Sequence, residues 1–428
     1  MAGGPAPRLA TWGLSGAIGY GLSQWLMLLV LARLGTPAEV GRFTVGLALT
    51  APIVMLTNSQ LGWVQATDSE HEYSFGEYRR QRWLASSVAG GLILLVGFSF
   101  GGGADFGVIA LVGAAKIAET FNDLYAGHFQ RHSRVDLSGR SQLIRGTCSL
   151  FLFGAAVAIS RRLEVGLVAL AVGSLLVLSL HDRPAGNRFA GGREEGHASI
   201  NWPRVGRLTI RLIPLGFAAL IISLNTSLPR MIVEGSLGRE ALGVFAAMAY
   251  LIVAGRMVAA PLGHIAAPRI GAAVARRDRR AFWVTLRRLL GIGALMGAIG
   301  VIVSLVAGRA LLTVLYGSEF AGSAQVLPWL MGVAALGYLS SFCQIAAIAA
   351  GKAHGLAAVA LLTLVATGVV GGALVTQLGM VGMAAGMLVA AAVELVGCSW
   401  LVHRSLAWNF GSRGATRPPN DLFERGAH

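Results

Sequence analysis

The stretch from Leu289 to Gly308, LLGIGALMGAIGVIVSLVAG, decides the fold class because it contains twenty consecutive residues without a charge. A helix rises about 1.5 Å per residue, so this segment is long enough to cross the roughly 30 Å hydrocarbon core of a bilayer. Similar runs recur along the 428-residue chain, which is 55% hydrophobic and 13% charged. The sequence therefore predicts an all-α integral membrane protein.

Twelve such runs predict about twelve transmembrane helices. In the first half of the chain they are Thr11–Ala32, Phe43–Gly62, Trp83–Phe100, Phe106–Ala126, Ser141–Ser160 and Val165–Leu180. In the second half they are Leu208–Leu228, Ala241–Leu262, Leu289–Gly308, Gln325–Ala350, Leu356–Thr376 and Met380–Val402. A stretch rich in Gly, Pro and charge separates the halves. We predict an N-terminal six-helix lobe (1–181), a cytoplasmic linker (182–205), a C-terminal six-helix lobe (206–404) and a cytoplasmic polar tail (405–428).

The positive charge is distributed unevenly over the predicted loops. Of the 35 Lys and Arg residues, 26 fall on the side of the two termini, when Arg145 and Arg211 near the ends of their spans are counted with the adjoining loops, seven fall on the other side, and two lie deeper within spans. Cytoplasmic loops of membrane proteins carry this excess, so both termini are predicted to be cytoplasmic. The net charge of +15 is then explained by contact with membrane lipids, and we expect no nucleic-acid partner. Among the predicted cytoplasmic segments, the basic stretch Arg269–Arg288 is typical of an amphipathic helix lying on the membrane surface.

The two halves share a short pattern in equivalent places. Residues 34–43 read LGTPAEVGRF and residues 237–245 read LGREALGVF, each between the first and second helix of its half. Two similar bundles with the same orientation are related by a pseudo-two-fold axis along the membrane normal, and the cleft between them is the default substrate path.

Five charged residues stand out deep within the predicted spans, where a charge costs roughly 2.5–3.5 kcal/mol. Lys116, Glu119 and Asp123 share one face of the fourth helix. Arg256 lies in the eighth helix and Glu394 in the twelfth. These residues either face a polar cavity or neutralise one another and reach the interface. Their placement makes Lys116 and Arg256 candidate substrate ligands, and Glu119, Asp123 and Glu394 candidate ion-coupling groups.

Four further residues are candidates for substrate binding. Arg33 and Arg42 bracket the first external turn, and Arg230 lies in the equivalent region of the second half. They are either interfacial anchors or an outer ring that binds phosphate oxygens, which guanidinium groups do well. Asn225 marks a polar face on the seventh helix. Cys148, Cys343 and Cys398 lie in apolar runs without metal-ligand spacing, so we predict no metal, no cofactor and no catalytic residues.

Four stretches carry a resemblance to a known family: VLARLGTPAEVGRFTVGLALTAPIVMLTNSQLG, AKIAETFNDLYAGHFQRHSRVDLSGRSQLIRG, IPLGFAALIISLNTSLPRMIVEGSLGREALGVFAAMAYLI and LYGSEFAGSAQVLPWL. They resemble the polysaccharide (O-antigen and exopolysaccharide) flippases of the multidrug/oligosaccharidyl-lipid/polysaccharide exporter superfamily. The resemblance covers roughly residues 10–404. Its motifs are mostly glycines and small apolar residues, so it identifies the superfamily better than the substrate.

The resemblance implies a multi-pass protein of the bacterial inner membrane that moves undecaprenyl-pyrophosphate-linked oligosaccharide to the periplasmic leaflet. It also implies a cationic central cavity, here supplied by Arg33, Arg42, Lys116, Arg256 and Arg230. The expected partners are the lipid-linked oligosaccharide, membrane lipids and other polysaccharide assembly proteins.

Two alternatives stay open. A multidrug/cation antiporter has the same architecture, but that branch typically carries an acidic residue in its first helix, and Thr11–Ala32 has none. A membrane enzyme of glycan assembly would need a substantial catalytic loop. The predicted external loops are too short for one, so we expect a transporter rather than an enzyme.

Overall fold

The computed structural model describes residues 6–100, 104–189 and 201–411, and this part of the chain is helical without a strand. Its first half contains α1 (Ala6–Leu34), α2 (Pro37–Asn58), α3 (Phe75–Phe100), α4 (Ala104–Arg131), α5 (Val135–Ser160) and α6 (Leu163–Val177). Short helical turns at Leu61–Thr67, Leu178–Asp182 and Arg183–Asn187 extend α2 and α6. The all-α expectation is therefore confirmed.

The second half begins with a long helical segment, Trp202–Ala275, that is interrupted by a sharp turn at Gly238. We call its two arms α7 (202–237) and α8 (239–275). They are followed by α9 (Arg279–Leu315), the short turns Ser318–Ala321 and Ala324–Val326, and α10 (Leu327–Ala349). The last pair is α11 (Ala353–Ala366, prolonged to residue 378) and α12 (380–411), which meet at Gly379.

Two glycines make the reversals between helices possible. Gly238 has φ 82° and Gly379 has φ 60°, a left-handed region that residues with a side chain rarely adopt. Gly238 belongs to the LG pattern that the two halves share, so in the second half that pattern marks the hairpin itself. The corresponding turn of the first half instead begins α2 with a capping box between Thr36 and Glu39.

Nine of the described helices are long and apolar enough to cross a membrane. Two of them, Trp202–Ala275 and Gly355–Arg404, each contain a glycine turn and hence two arms. The charged helix α4, with Asp105, Lys116, Glu119 and Asp123, is not among the nine. The chain is a multi-pass membrane protein, and the count of twelve spans stays a prediction.

The predicted surface helix at Arg269–Arg288 is wrong. Helix α8 continues to Ala275, and after a turn at residues 276–278 the chain enters α9 at Arg279. Within this stretch Phe282 and Leu286 are buried against neighbouring helices, whereas Val284 is exposed. The basic charge is carried by two long helices that project beyond the hydrocarbon, each 37 residues or about 55 Å long.

The predicted linker and tail are described in part. Helical turns occupy residues 183–187, and α7 begins at Trp202, so helix extends into both ends of the predicted 182–205 linker. Residues 190–200 of the linker and 412–428 of the tail lie outside the described residues. The domain boundaries therefore stay predictions.

Glycines allow the helices to pack with their backbones in close contact. In the first half, Gly16 of α1 lies against Gly139 of α5, where an added Cβ on Gly139 would collide with the backbone of Trp12 and Gly13. Between the halves, α2 packs along the α7–α8 arm. A Cβ on Gly41 would meet the Arg239 carbonyl, and one on Gly243 would meet the Pro37 carbonyl. Small residues allow this close approach in membranes.

The α1–α5 contact gives a first prediction. Gly139→Leu is expected to lower the free energy of unfolding by about 1–3 kcal/mol, because the new side chain must displace backbone. The measurement is unfolding of the purified protein in mixed detergent. Gly91→Leu is the matched control, since the space around Gly91 is open and the residue is exposed. Equal destabilisation by both variants would contradict the packing described here.

Candidate functional site

We call the end of the bundle at which α1 begins and α12 ends the terminal end, and the opposite one the far end. The charged residues predicted on α4 lie between them, inside the first lobe. Lys116 Nζ donates to Glu119 Oε2 at 2.9 Å, and the Tyr20 hydroxyl of α1 donates to the same oxygen at 3.0 Å. The alternative in which Lys116 and Glu119 neutralise each other is therefore what this conformation shows.

Arg145 of α5 completes this cluster. Its Nη1 donates to Asp123 Oδ1 at 3.2 Å and to the Glu119 carbonyl at 3.3 Å, and its guanidinium lies 4.4 Å from the centre of the Tyr20 ring. Arg145 is only 5% exposed. We call Tyr20, Lys116, Glu119, Asp123 and Arg145 the α4 cluster. Its two cations and two carboxylates balance.

Sequence reasoning missed Arg145 and its neighbour Arg82, assigning both to terminal-side loops. Arg82 of α3 is 1% exposed, and its Nε and Nη2 have no hydrogen-bond partner among the described residues. The apolar runs begin at Trp83 and Ser141, but the helices begin at Phe75 and Val135. A usable signal was present for Arg82, because Ser74 and Glu77 form a capping box that places the helix start ahead of it.

The second lobe carries a smaller polar group. Glu394 of α12 accepts a hydrogen bond from Gln344 Nε2 of α10 at 2.8 Å. Arg256 of α8 interacts electrostatically with Glu394 and with Tyr338 of α10. Arg256 is exposed, and within the described ranges it forms no hydrogen bond or salt bridge. Of the other predicted cations, Arg33, Arg42 and Lys116 form hydrogen bonds or salt bridges, whereas the guanidinium of Arg230 lies over the Tyr250 ring.

The two lobes touch next to both groups in the chain. Gly21, next to Tyr20, lies against Met257, next to Arg256, with Met257 Cε 2.9 Å from where a Gly21 Cβ would be. Tyr250 of α8 interacts electrostatically with Lys116, and its ring lies 5.6 Å from the Arg230 guanidinium. Lys116 and Arg230 therefore lie near Tyr250, and Arg256 follows six residues further along α8, with its guanidinium against Gly337 of α10.

Asn225 lies elsewhere. Its Nδ2 donates to the Ile221 carbonyl at 3.0 Å and to the Ala360 carbonyl at 3.1 Å, so it joins α7 to α11 inside the second lobe. Its Oδ1 is buried without a partner among the described residues. The structure thus places Asn225 in a helix–helix contact away from the Lys116, Arg230 and Arg256 region.

At the far end, Arg42 belongs to an ion network that joins the lobes. Its Nε donates to Asp105 Oδ1 at 3.1 Å and its Nη2 to Glu164 Oε1 at 2.9 Å. Asp105 also pairs with Arg239 of the α7–α8 turn in the second lobe. Asp105 is 7% exposed, so it bridges the two lobes in a partly dry setting where ion pairs are stronger than at a surface.

Arg33 closes the same end in a different way. Its Nε donates to the Leu315 carbonyl at 2.7 Å, and its Nη2 donates to the Val314 carbonyl at the end of α9. A cation is favourable there because the last carbonyls of a helix lack partners and carry partial negative charge. In this conformation Arg33 and Arg42 therefore hold the far end shut, and their substrate role stays a prediction.

A second contact between the lobes lies at the terminal end. Arg211 Nη1 of α7 pairs with Glu72 Oε2 at 2.6 Å, and Arg204 Nε pairs with Glu77 Oε1 at 3.1 Å. The loop that carries Glu72 is held by Asp68. Burial alone would raise the pKa of Asp68, but backbone N–H donors of Glu72 and Tyr73, the Tyr78 hydroxyl and Arg131 together lower it. Asp68 therefore stays ionised at neutral pH.

No metal site appears in the parts of the chain that the structure covers, since no group of three or more His, Cys, Asp or Glu residues is placed to hold an ion. The three cysteines are free, with Cys343 and Cys398 buried and Cys148 half-buried.

Comparison with solved structures decides the fold. The lipid II flippase MurJ in an inward closed conformation has a TM-score of 0.72 at 9% identity, covering 92% of this chain and 89% of that one. An inward-facing multidrug resistance MATE transporter of the MOP superfamily has a TM-score of 0.71 at 14% identity, covering 94% and 99%. This chain has the fold of the multidrug/oligosaccharidyl-lipid/polysaccharide exporter (MOP) superfamily. The resemblance noted in the sequence is confirmed at that level.

One relative is similar to this chain in sequence. The capsular polysaccharide biosynthesis protein CapF of Staphylococcus aureus is 29% identical over 332 residues, 77% of this chain and 82% of the relative. No protein-family model matches the chain.

The far-end network gives a second prediction. Asp105→Asn removes a charge shared by Arg42 and Arg239, so the population open at the far end is expected to rise about tenfold, equivalent to about 1.4 kcal/mol. Distances between spin labels at Leu34→Cys and Leu237→Cys, in a background without native cysteines, measure this population. Glu240→Gln is the control, an exposed acid at the same end without a described partner. An unchanged distance distribution in Asp105→Asn would show that Asp105 does not hold the lobes together.

Proposed function

We propose that this protein flips a polyisoprenyl-diphosphate-linked oligosaccharide from the cytoplasmic to the periplasmic leaflet of a bacterial inner membrane. The terminal end is then cytoplasmic and the far end periplasmic. Three facts support this: the superfamily fold, the relative named for capsular polysaccharide biosynthesis, and cations brought together at mid-depth. Membrane lipids and polysaccharide assembly proteins are the proposed surroundings.

The observation that carries the proposal is the position of Arg256. A cation without a hydrogen bond or salt bridge in the described residues is costly inside a membrane protein, and it is retained where an anion or a watery path passes. Arg256 lies opposite the α4 cluster, at the level where Gly21 meets Met257. A diphosphate at this level would bind Arg256 from one lobe and Lys116 from the other.

The α4 cluster must rearrange to take part. Lys116 is paired with Glu119, so a phosphate oxygen competes with that carboxylate for the same ammonium group. In a low-dielectric interior the outcome depends on the total charge, since an extra anion there is stabilised only when a carboxylate is neutralised or moves away. Binding of the diphosphate is therefore coupled to the charge of a nearby acid.

Of the three acids, Glu394 is best placed to take up a proton. Glu119 accepts from Lys116 and Tyr20, and Asp123 from Arg145, so each of these carboxylates is directly ion-paired. Glu394 receives a hydrogen bond from the neutral amide of Gln344, and no salt bridge reaches it within the described part of the chain. Protonation of Glu394 would release Arg256 for the substrate, and deprotonation would favour substrate release.

Alternating access requires that the two ends open in turn. The far end is held by the Arg42–Asp105–Arg239 network and by Arg33, and the terminal end by Glu72–Arg211 and Glu77–Arg204. Each group of ion pairs joins the two lobes, so breaking one set while keeping the other lets the lobes rock about the glycine-lined contact of α2 with α7 and α8.

The binding site gives a third prediction. Arg256→Ala and Lys116→Ala are each expected to lower the rate of lipid-linked oligosaccharide flipping in proteoliposomes about tenfold or more, because each removes one charge-assisted contact to phosphate. Arg309→Ala is the control, since Arg309 is an exposed cation at the far end. Unchanged flipping in both variants would remove this site assignment.

The same proteoliposomes distinguish the antiporter alternative. Uptake of a labelled cationic dye driven by a proton gradient, without flipping of the lipid-linked substrate, would replace the flippase proposal. Sugar transfer by the purified protein would instead indicate an enzyme of glycan assembly.

A fourth prediction concerns coupling. The affinity of the parent for a polyisoprenyl diphosphate is expected to rise as the pH falls, because protonated Glu394 no longer competes for Arg256. Glu394→Gln mimics the protonated form, so its affinity is expected to be about tenfold higher than that of the parent at high pH and independent of pH. Glu319→Gln, an exposed acid at the far end, is the control. A pH dependence that persists in Glu394→Gln would assign the coupling to another acid.

A further inference from the structure

A groove of about 340 Å³ runs along the outside of the second lobe, between α8 and α9, with α10 as its floor. It lies in the half of the bundle nearer the far end, because it reaches from Tyr338, in the middle of α10, to Leu327 at its first residue. Its walls are formed chiefly by Leu251 and Gly255 of α8, Met296 and Gly300 of α9, and Met331 and Tyr338 of α10.

The groove opens towards lipid. Ile299 and Val303 at its rim are 53% and 42% exposed on the outer face of α9, and nearly all the groove surface is apolar. In a multi-pass membrane protein such a surface meets hydrocarbon chains. Gly255 and Gly300 have no side chain that would narrow the groove. At Gly300 there is space for one, because an added Cβ would make only ordinary contacts with Met331.

The inner end of the groove reaches the proposed head-group site. Gly255 precedes Arg256 in the chain, and the Tyr338 hydroxyl lies so close to Gly255 that a Cβ there would collide with it. Tyr338 also interacts electrostatically with Arg256. An apolar path from the bilayer therefore ends beside an uncommitted cation, which is the arrangement that a lipid with an anionic head requires.

We propose that this groove holds a segment of the polyisoprenoid chain of the substrate while the diphosphate is at Arg256. This inference rests on the proposed function. The volume is at the lower end of the roughly 300–1,000 Å³ typical of small-molecule sites, so a few isoprene units occupy it and the rest of the chain stays in the bilayer.

The groove positions the chain rather than supplying hydrophobic free energy. Lipid chains are as apolar as the groove walls, so moving a chain from bilayer to groove gains little from the hydrophobic effect. What the groove provides is a fixed place next to Arg256, which keeps the head group from leaving the lobes before they rearrange. Filling the groove would therefore weaken retention of the chain without touching the head-group ligands.

The test is photolabelling in proteoliposomes with two probes. One is a polyprenyl diphosphate that carries a diazirine in one of the isoprene units nearest its head group, and the other is a phosphatidylglycerol with a diazirine in one acyl chain. The polyprenyl diphosphate is expected to label residues 296–304 and Met331. Gly300→Phe fills the groove and is expected to lower this labelling about tenfold, whereas Gly291→Phe on the same helix is expected to leave it within about twofold. Gly291 is exposed, with open space around it and no part in the groove.

The outcomes separate the alternatives. If the phosphatidylglycerol probe labels the same residues as strongly as the polyprenyl diphosphate, the groove holds ordinary bilayer lipid and the inference is overturned. It is also overturned if Gly300→Phe leaves labelling unchanged. Should Gly300→Phe fail to fold, Val303→Trp fills the groove from its lipid-facing rim. Because Gly300→Phe leaves Arg256 and Lys116 in place, its effect on labelling reports on the groove, and labelling that Arg256→Ala leaves unchanged would count against the head-group site instead.

Discussion

A charge inside hydrocarbon costs several kcal/mol unless it is paired, and this constraint explains where the ionisable residues of this protein lie. In the first lobe Lys116 is paired directly with Glu119 and Arg145 with Asp123, whereas buried Arg82 has no described partner for its Nε and Nη2. In the second lobe the constraint is met less completely, because Arg256 has only an electrostatic neighbour in Glu394. The two lobes therefore differ in function as well as in detail. The first lobe holds the α4 cluster, whose charges balance and are hydrogen-bonded. The second lobe presents Arg256, the cation that an anion can reach first.

Glycines line the contact between the two lobes. Where α2 meets α7 and α8, backbone lies against backbone at Gly41, Gly216 and Gly243, within a buried apolar cluster to which both lobes contribute. Such a contact is close enough to hold the lobes together through dispersion, yet it slides more easily than an interdigitated core. Specific polar contacts are then confined to the two ends, and the state of the transporter is decided by which set is intact.

The sequence was sufficient for the fold class because hydrophobic length and Arg placement are properties of whole segments. It was insufficient wherever a helix extends past its apolar run. Arg82 looks like a loop charge because its apolar run begins at Trp83, and Arg145, four residues into the run that begins at Ser141, looks like the edge of a loop, yet both lie inside helices that start earlier. The same effect made residues 269–288 resemble a surface helix, although two long helices meet there. Pairing partners such as Tyr20 for Glu119, 99 positions apart, depend on tertiary packing and carry no local signal.

Helix α1 connects the charges at mid-depth with the closure at the far end. Tyr20 hydrogen-bonds Glu119, Gly21 lies on Met257, and the Trp25 indole donates to the Tyr316 hydroxyl at 3.1 Å. Further along α1, Arg33 donates a hydrogen bond to the Leu315 carbonyl at the end of α9. A helix is stiff along its axis, so a diphosphate that draws Lys116 away from Glu119 and frees Tyr20 would act on the same rigid body that holds the far end shut. Substrate binding and opening are then linked through one element, without a signal having to pass through the glycine-lined contact of α2.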